Sequence, residues 1–254
     1  MSRFFSDTSG EGVDLGNVYS FDINAAWSTG MIHRLTDLAS GDQRILISKY
    51  AGFGERQLLV EVSTADQMTA YMANALKITG STLSAATWYL TVLTNSGTGG
   101  AGTLTLHTME LDGTVIDSAV TGDPQDETAQ TNTVYLGRRS SAGNEYDGDQ
   151  AHAFLIEGEL TVNQINAFRV NPPKAFATWM GSIGGTSSFY LPLFGLTDPE
   201  PDWSGNGHTG AVTAVVRSDM PPVRMGGGNV LRFPVAAPAG GSVVGSLSLM
   251  GVGL

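Results

Sequence analysis

An antiparallel all-β sandwich followed by an extended C-terminal arm is the fold class the sequence predicts. Three observations predict it. Short stretches alternate apolar and polar residues at a period of two, the signature of half-buried strands. Turn residues separate them, and 33 of the 254 residues are glycine, which suits many tight connections. Asp112-Gly113 sits between apolar runs, a strong hairpin signal.

The elements follow in order. Asp7 to Gly12 is turn chemistry, and Val13 and Leu15 alternate with Asp14 and Gly16. Asn17 to Trp27 predicts a strand with Tyr19, Phe21 and Ile23 on one face. Further strands are expected over Gly41 to Lys49, over Arg56 to Val62 with Leu58, Val60 and Val62 inward, and over Met68 to Met72. Ala86 to Leu93 is apolar on both faces, as a central strand should be. Thr103 to Leu106 is a further strand and Glu110 to Val115 contains the hairpin turn at Asp112-Gly113; the apolar face changes parity between Leu106 and Met109, which predicts a bulge. Val134 to Gly137 is a strand, followed by the basic pair Arg138-Arg139, a small polar loop, a new strand at Tyr146-Asp147-Gly148 and an apolar strand over Ala151 to Ile156. A helix begins at Thr161, whose spacing to Gln164 fits a capping box, and Asn171-Pro172-Pro173 breaks the chain. Phe189, Leu191 and Leu193 then alternate, ahead of Asp202-Trp203-Ser204-Gly205-Asn206-Gly207. Residues 1–217 are read as the sandwich.

Residues 218–254 read as the arm, punctuated by Pro and Gly, with Arg232 and Phe233 midway and Leu247 and Leu249 alternating with serines near the end. At ~3.3 Å per residue it could reach on the order of 100 Å. Arg232, Phe233, Leu247 and Leu249 are the candidate assembly residues, docking on a neighbouring subunit by strand addition.

Chemistry is sparse. The formal net charge of −11 argues against nucleic acid and anionic membranes as partners. There are no cysteines, which excludes disulfides, zinc-thiolate sites and cysteine nucleophiles and favours assembly in a reducing cytoplasm. The first residues lack the apolar core of a signal peptide, and no run reaches the ~20 apolar residues of a membrane span. His33, His107, His152 and His208 share no metal-ligand spacing, and neither a nucleophile elbow nor a phosphate-binding loop is present.

Several ordered segments resemble the concanavalin A-like, laminin G-like jelly roll: Val13-Asp14-Leu15-Gly16, Thr87-Trp88-Tyr89, Tyr135-Leu136-Gly137-Arg138-Arg139, Tyr146-Asp147-Gly148-Asp149 and Leu160-Thr161 with Gln164-Ile165. Asp198 to Gly210 resembles a motif that opens laminin G-like domains but here trails the helix; similar trailing copies in bacteriophage and bacterial relatives add a strand to the same sandwich. Glycosidases of this fold place two glutamates on one strand, which could act as acid and nucleophile. No such strand is found, so no enzymatic activity is expected and no cofactor is required. Family members often hold calcium; Asp147 and Asp149, with Asp123 and Asp126, are the candidate ligands. Trp179 and Trp203 are the candidate sugar-stacking residues.

The arm resembles the ends of tailed-bacteriophage virion proteins with this fold. The resemblance implies a non-enzymatic virion protein, a capsid decoration or cement protein or a head or tail fibre component. It would be assembled in the host cytoplasm, with major capsid or tail proteins, further copies of itself and a host surface glycan as partners. The alternative is a carbohydrate-binding adhesion module, with or without calcium.

Overall fold

Alternating side chains leave each strand with one face that water does not favour, and two sheets stacked face to face bury those faces together. In the computed structural model this produces two antiparallel sheets. The structure describes residues 2–6, 10–22, 24–38, 42–50, 56–72, 75–97, 102–113, 116–121, 131–140, 145–195, 197–218 and 221–223. In chain order the strands are β1 (Ser2–Phe5), β2 (Gly12–Asp14), β3 (Trp27–Leu35), β4 (Arg44–Tyr50), β5 (Arg56–Val62), β6 (Gln67–Met72), β7 (Ala75–Thr82), β8 (Trp88–Asn95), β9 (Leu104–Glu110), β10 (Ile116–Thr121), β11 (Val134–Leu136) and β12 (Gly148–Ile156). Helices α1 (Val162–Val170) and α2 (Pro172–Met180) follow, then β13 (Phe189–Leu191), β14 (Ala211–Thr213) and β15 (Val216–Ser218). The first sheet runs β10-β9-β8-β3-β12-β1-β15, with β13 also paired to β12. The second runs β14-β2-β11-β4-β5-β6-β7.

Between the sheets lies the main core, including Phe5, Trp27, Leu58, Val60, Leu93, Leu106, Leu136 and Leu155. A second core covers the other face of the first sheet, where Ile32, Leu90, Val92, Met109, Phe154 and Ile156 meet Ile165, Phe168, Phe176 and Trp179 from the helices. The central strands β3, β8 and β12 of the first sheet are therefore buried on both faces. This corrects the expected bulge in β9: Leu106 and Met109 pair with Leu93 and Leu90 in unbroken register. Leu106 serves the inner core and Met109 the helix-side core, so the parity change marks two cores. Register breaks lie elsewhere, one of them in β12 between Ala151 and Phe154.

Three further readings change. Residues 17–22 are not a strand; Trp27 opens β3 instead of ending an earlier strand. Phe21 is nonetheless buried, edge-on to Trp27 at 5.0 Å, so its alternation with Tyr19 reflects a packed loop. Pro172 does end α1, but it also starts α2, because proline is tolerated in the first turn, where its missing N–H would be unbonded anyway. Tyr146 to Ile156 yields one strand, β12.

The trailing segment adds one strand to each sheet: β14 pairs with β2, and β15 pairs with β1. Arg3 on β1 holds this segment through a 2.6 Å ion pair with Glu200 and a 2.6 Å hydrogen bond to the Thr197 carbonyl. Both partners of the ion pair are nearly solvent-free. The folded body runs past 217: β15 ends at Ser218, and Val223 packs on the helix-side core. Arg232, Phe233, Leu247 and Leu249 lie outside the described residues, as do Asp123 and Asp126.

Candidate functional site

The two candidate tryptophans meet one aromatic layer. Asn171 caps α2, its side-chain oxygen accepting from the Lys174 amide, and this start aims Phe176 and Trp179 at the first sheet. Trp179 is 1% exposed. Its ring stacks on Phe168 at 5.1 Å and contacts Phe154 at 5.3 Å. A ring so enclosed offers no face to a sugar, so Trp179 is a packing residue and not a stacking platform. A shallow groove of about 630 Å³ does run along the helix pair, past Asn163, Ala167, Val170, Lys174 and Thr178.

Trp203 is different. It lies half-buried at the rim of the same layer, edge-on to Phe194 at 5.2 Å and to Tyr190 at 6.3 Å. Asp202 fixes its loop. One carboxylate oxygen accepts from the amides of Tyr190 (3.0 Å) and Ser204 (2.9 Å), the other from the Ser204 hydroxyl (2.7 Å) and the His208 amide (2.9 Å). Gly205 and Gly207 take φ of 90° and 84°, conformations that side chains disfavour. The Asn206 amide donates to the carbonyls of Gly185 (2.9 Å) and Ser188 (2.7 Å), and His208 Nε2 lies 2.9 Å from the Thr186 carbonyl. The tight turn read from sequence is thus stapled to residues 185–188. It presents exposed polar groups beside one partly exposed indole.

The candidate calcium ligands have other work. Asp149 is buried; Arg34 donates to it at 2.6 Å and the Ser2 hydroxyl at 3.2 Å. Both of its oxygens are thereby engaged, whereas a calcium site needs several converging oxygens. Asp147 is half-buried, and its carbonyl accepts from the Thr36 amide. Among the described residues no three acidic or histidine side chains converge as metal ligands.

Buried carboxylates are likewise engaged: Glu200 by Arg3, Glu145 by the Gly10 amide, Glu61 by Gln43. The sequence sets His33 and His152 aside as metal ligands but does not show that they are buried. His33 bridges the Tyr146 hydroxyl and the Thr91 hydroxyl, each at 2.9 Å. His152 sits in the β12 register break with φ 53° and lies 2.6 Å from the Tyr190 hydroxyl. Burial pushes both imidazoles down to about 3, so both are neutral structural groups. No pattern of spacing announces them, since their partners come from distant strands.

Neither a family model nor a curated protein sequence matches the chain. Solved structures do. A Bacteroides ovatus protein assigned to carbohydrate binding superposes with a TM-score of 0.60 at 14% identity, over 89% of this chain and 61% of that one. The chain thus spans about three-fifths of that protein's length. A pentraxin of Limulus polyphemus (12% identity, TM-score 0.43, 66% of this chain and 74% of that one) and the LG4-5 domains of a mouse laminin chain (14%, 0.41, 61% and 42%) are more distant. The fold is the concanavalin A-like, laminin G-like jelly roll; identities this low speak for fold alone.

Proposed function

We propose that the protein is a non-enzymatic carbohydrate-binding module. The observation that carries this reading is the Trp203 turn: a partly exposed indole, fixed from behind by Phe194 and Tyr190, beside polar groups already held in place by Asp202. Preorganised aromatic and polar groups bind with little ordering cost. The superposition on a protein assigned to carbohydrate binding supports the same reading. So does the engagement of the buried carboxylates in structural contacts, which leaves them poorly placed as an acid–nucleophile pair. The test is glycan binding by the full chain on a printed array, repeated with Trp203→Ala. The expected result is selective binding that this change weakens about tenfold or more, as for an interface anchor. Binding that Trp203→Ala leaves untouched contradicts this site.

A role in virion assembly is the second reading. Among the described residues β15 is the edge strand of the first sheet, with Val216 58% exposed, and the arm follows it in sequence. An open edge favours strand addition from another chain. In this reading the arm anchors the sandwich to capsid or tail proteins and to further copies of itself. Light scattering on the full chain and on a chain ending at Val223 tests the self-association: an oligomer that becomes a monomer on truncation is expected, and two equal monomers contradict it.

A further inference from the structure

Gly137 ends β11 in a left-handed conformation, φ 78°, and a Cβ there would lie 2.4 Å from the Phe5 ring. The turn carries the chain out of the sandwich and lays Arg138 and Arg139 over the outward face of the second sheet. Ser48, which points outward from β4, donates to the Arg138 carbonyl at 2.7 Å. The Arg138 guanidinium lies over the Tyr135 ring at 4.7 Å, and that of Arg139 over Tyr50 at 5.6 Å. Tyr135 pairs with Ser48, and Tyr50 stands two residues further along β4. The two rings are therefore diagonal neighbours on one face, roughly 7–8 Å apart at the backbone. The Arg138 stem is pinned as well: it crosses Gly12, where a Cβ would lie 2.6 Å from its Cδ, and Nη1 donates to the Gly10 carbonyl at 3.0 Å.

Among the described residues the pair has no ion-pair partner. The ion pairs among the described residues involve Arg3, Arg34 and Arg44. Both Nε atoms, on Arg138 and Arg139, are buried without a hydrogen-bond partner. This occurs in a chain with 24 acidic and 13 basic residues, where a carboxylate partner would be easy to supply. Adjacent guanidinium groups repel, and burying unpaired donors costs free energy. Tyrosine faces offset part of that cost, and they hold the donor forks in place. With Nε buried, the Nη end of each guanidinium is the edge left to meet a carboxylate, to which it can offer parallel hydrogen bonds.

We propose that Arg138 and Arg139 bind the carboxylate of an acidic sugar. The inference rests on the carbohydrate-binding reading and adds the ligand's charge to it. The net charge of −11 disfavours densely charged polyanions at long range, but screening over about 8 Å at physiological salt leaves a single carboxylate to the local pair.

The experiment uses an array of carboxylated glycans, each printed beside its methyl ester, probed with the full chain, Arg139→Gln, Arg139→Lys and Gly12→Ala. Thermal melts of the four proteins check that each is folded. The expected result is binding to carboxylated glycans that is at least about tenfold weaker for their esters and for Arg139→Gln. Arg139→Lys should keep part of it, and Gly12→Ala should weaken it by displacing Arg138. If esters bind as well as acids, or folded Arg139→Gln binds like the parent, the inference falls while the carbohydrate-binding reading stands. If no glycan of either kind is bound, both fall.

Discussion

His33 and His152 tie the interior to pH. Each stays neutral in the folded chain down to about 3, whereas an unfolded histidine protonates near 6.5. Unfolding therefore takes up protons between those values. The stability these groups protect is whole above roughly pH 6.5 and falls as pH drops toward 3, by about 1.4 kcal/mol per pH unit for each. Urea midpoints measured at pH 7 and pH 5 should fall accordingly. His33→Gln, which cannot titrate, should start lower at pH 7 but lose less on acidification; equal losses in both proteins would contradict the assignment. The tryptophans separate at the same scale. Trp179→Ala empties a site in the helix-side core and should cost about 3–5 kcal/mol in urea unfolding. Trp203→Ala removes a half-buried ring and should cost less while weakening glycan binding. Composition shows four tryptophans but not their burial; the helix that buries Trp179 starts at Pro172, where the sequence signals only a break.

At the scale of elements, local chemistry was the most legible. The Thr161–Gln164 spacing predicted a capping box, and the helix starts there with both reciprocal bonds present. Thr161→Ala should cost about 1 kcal/mol, read from the thermal midpoint. Asp112-Gly113 likewise lies in the connection between paired β9 and β10. Elements without a strong pattern were missed. β3 carries Gly30 and His33 amid its apolar residues, and Gly30 is needed because a Cβ would lie 2.3 Å from the Thr91 carbonyl. β7 is an edge strand with Leu76 half exposed, so its alternation is faint. The placement of β14 and β15 was also beyond local reading, because it depends on pairing with the distant β2 and β1 and on the Arg3–Glu200 contact made across the whole chain. Arg3→Met leaves a nearly solvent-free carboxylate without its cation. It should cost roughly 3–5 kcal/mol and speed hydrogen exchange in β14 and β15 before the central strands; uniform exchange would contradict this clamp.

For the molecule as a whole, a jelly roll with one helix-covered face leaves function to its rims and to the outward face of the second sheet. The sandwich was readable because its motifs keep order along the chain. The site was not, since Trp203 faces its supports through contacts between residues 185–190 and 202–208, and the basic pair gains meaning only beside Tyr50 and Tyr135. The measurement that bears most directly on the whole account is calorimetric titration of the full chain with the strongest glycan found by array, alongside Trp203→Ala. The account predicts saturable binding that weakens about tenfold or more in the variant. A folded parent chain that releases no heat and binds no glycan would contradict it.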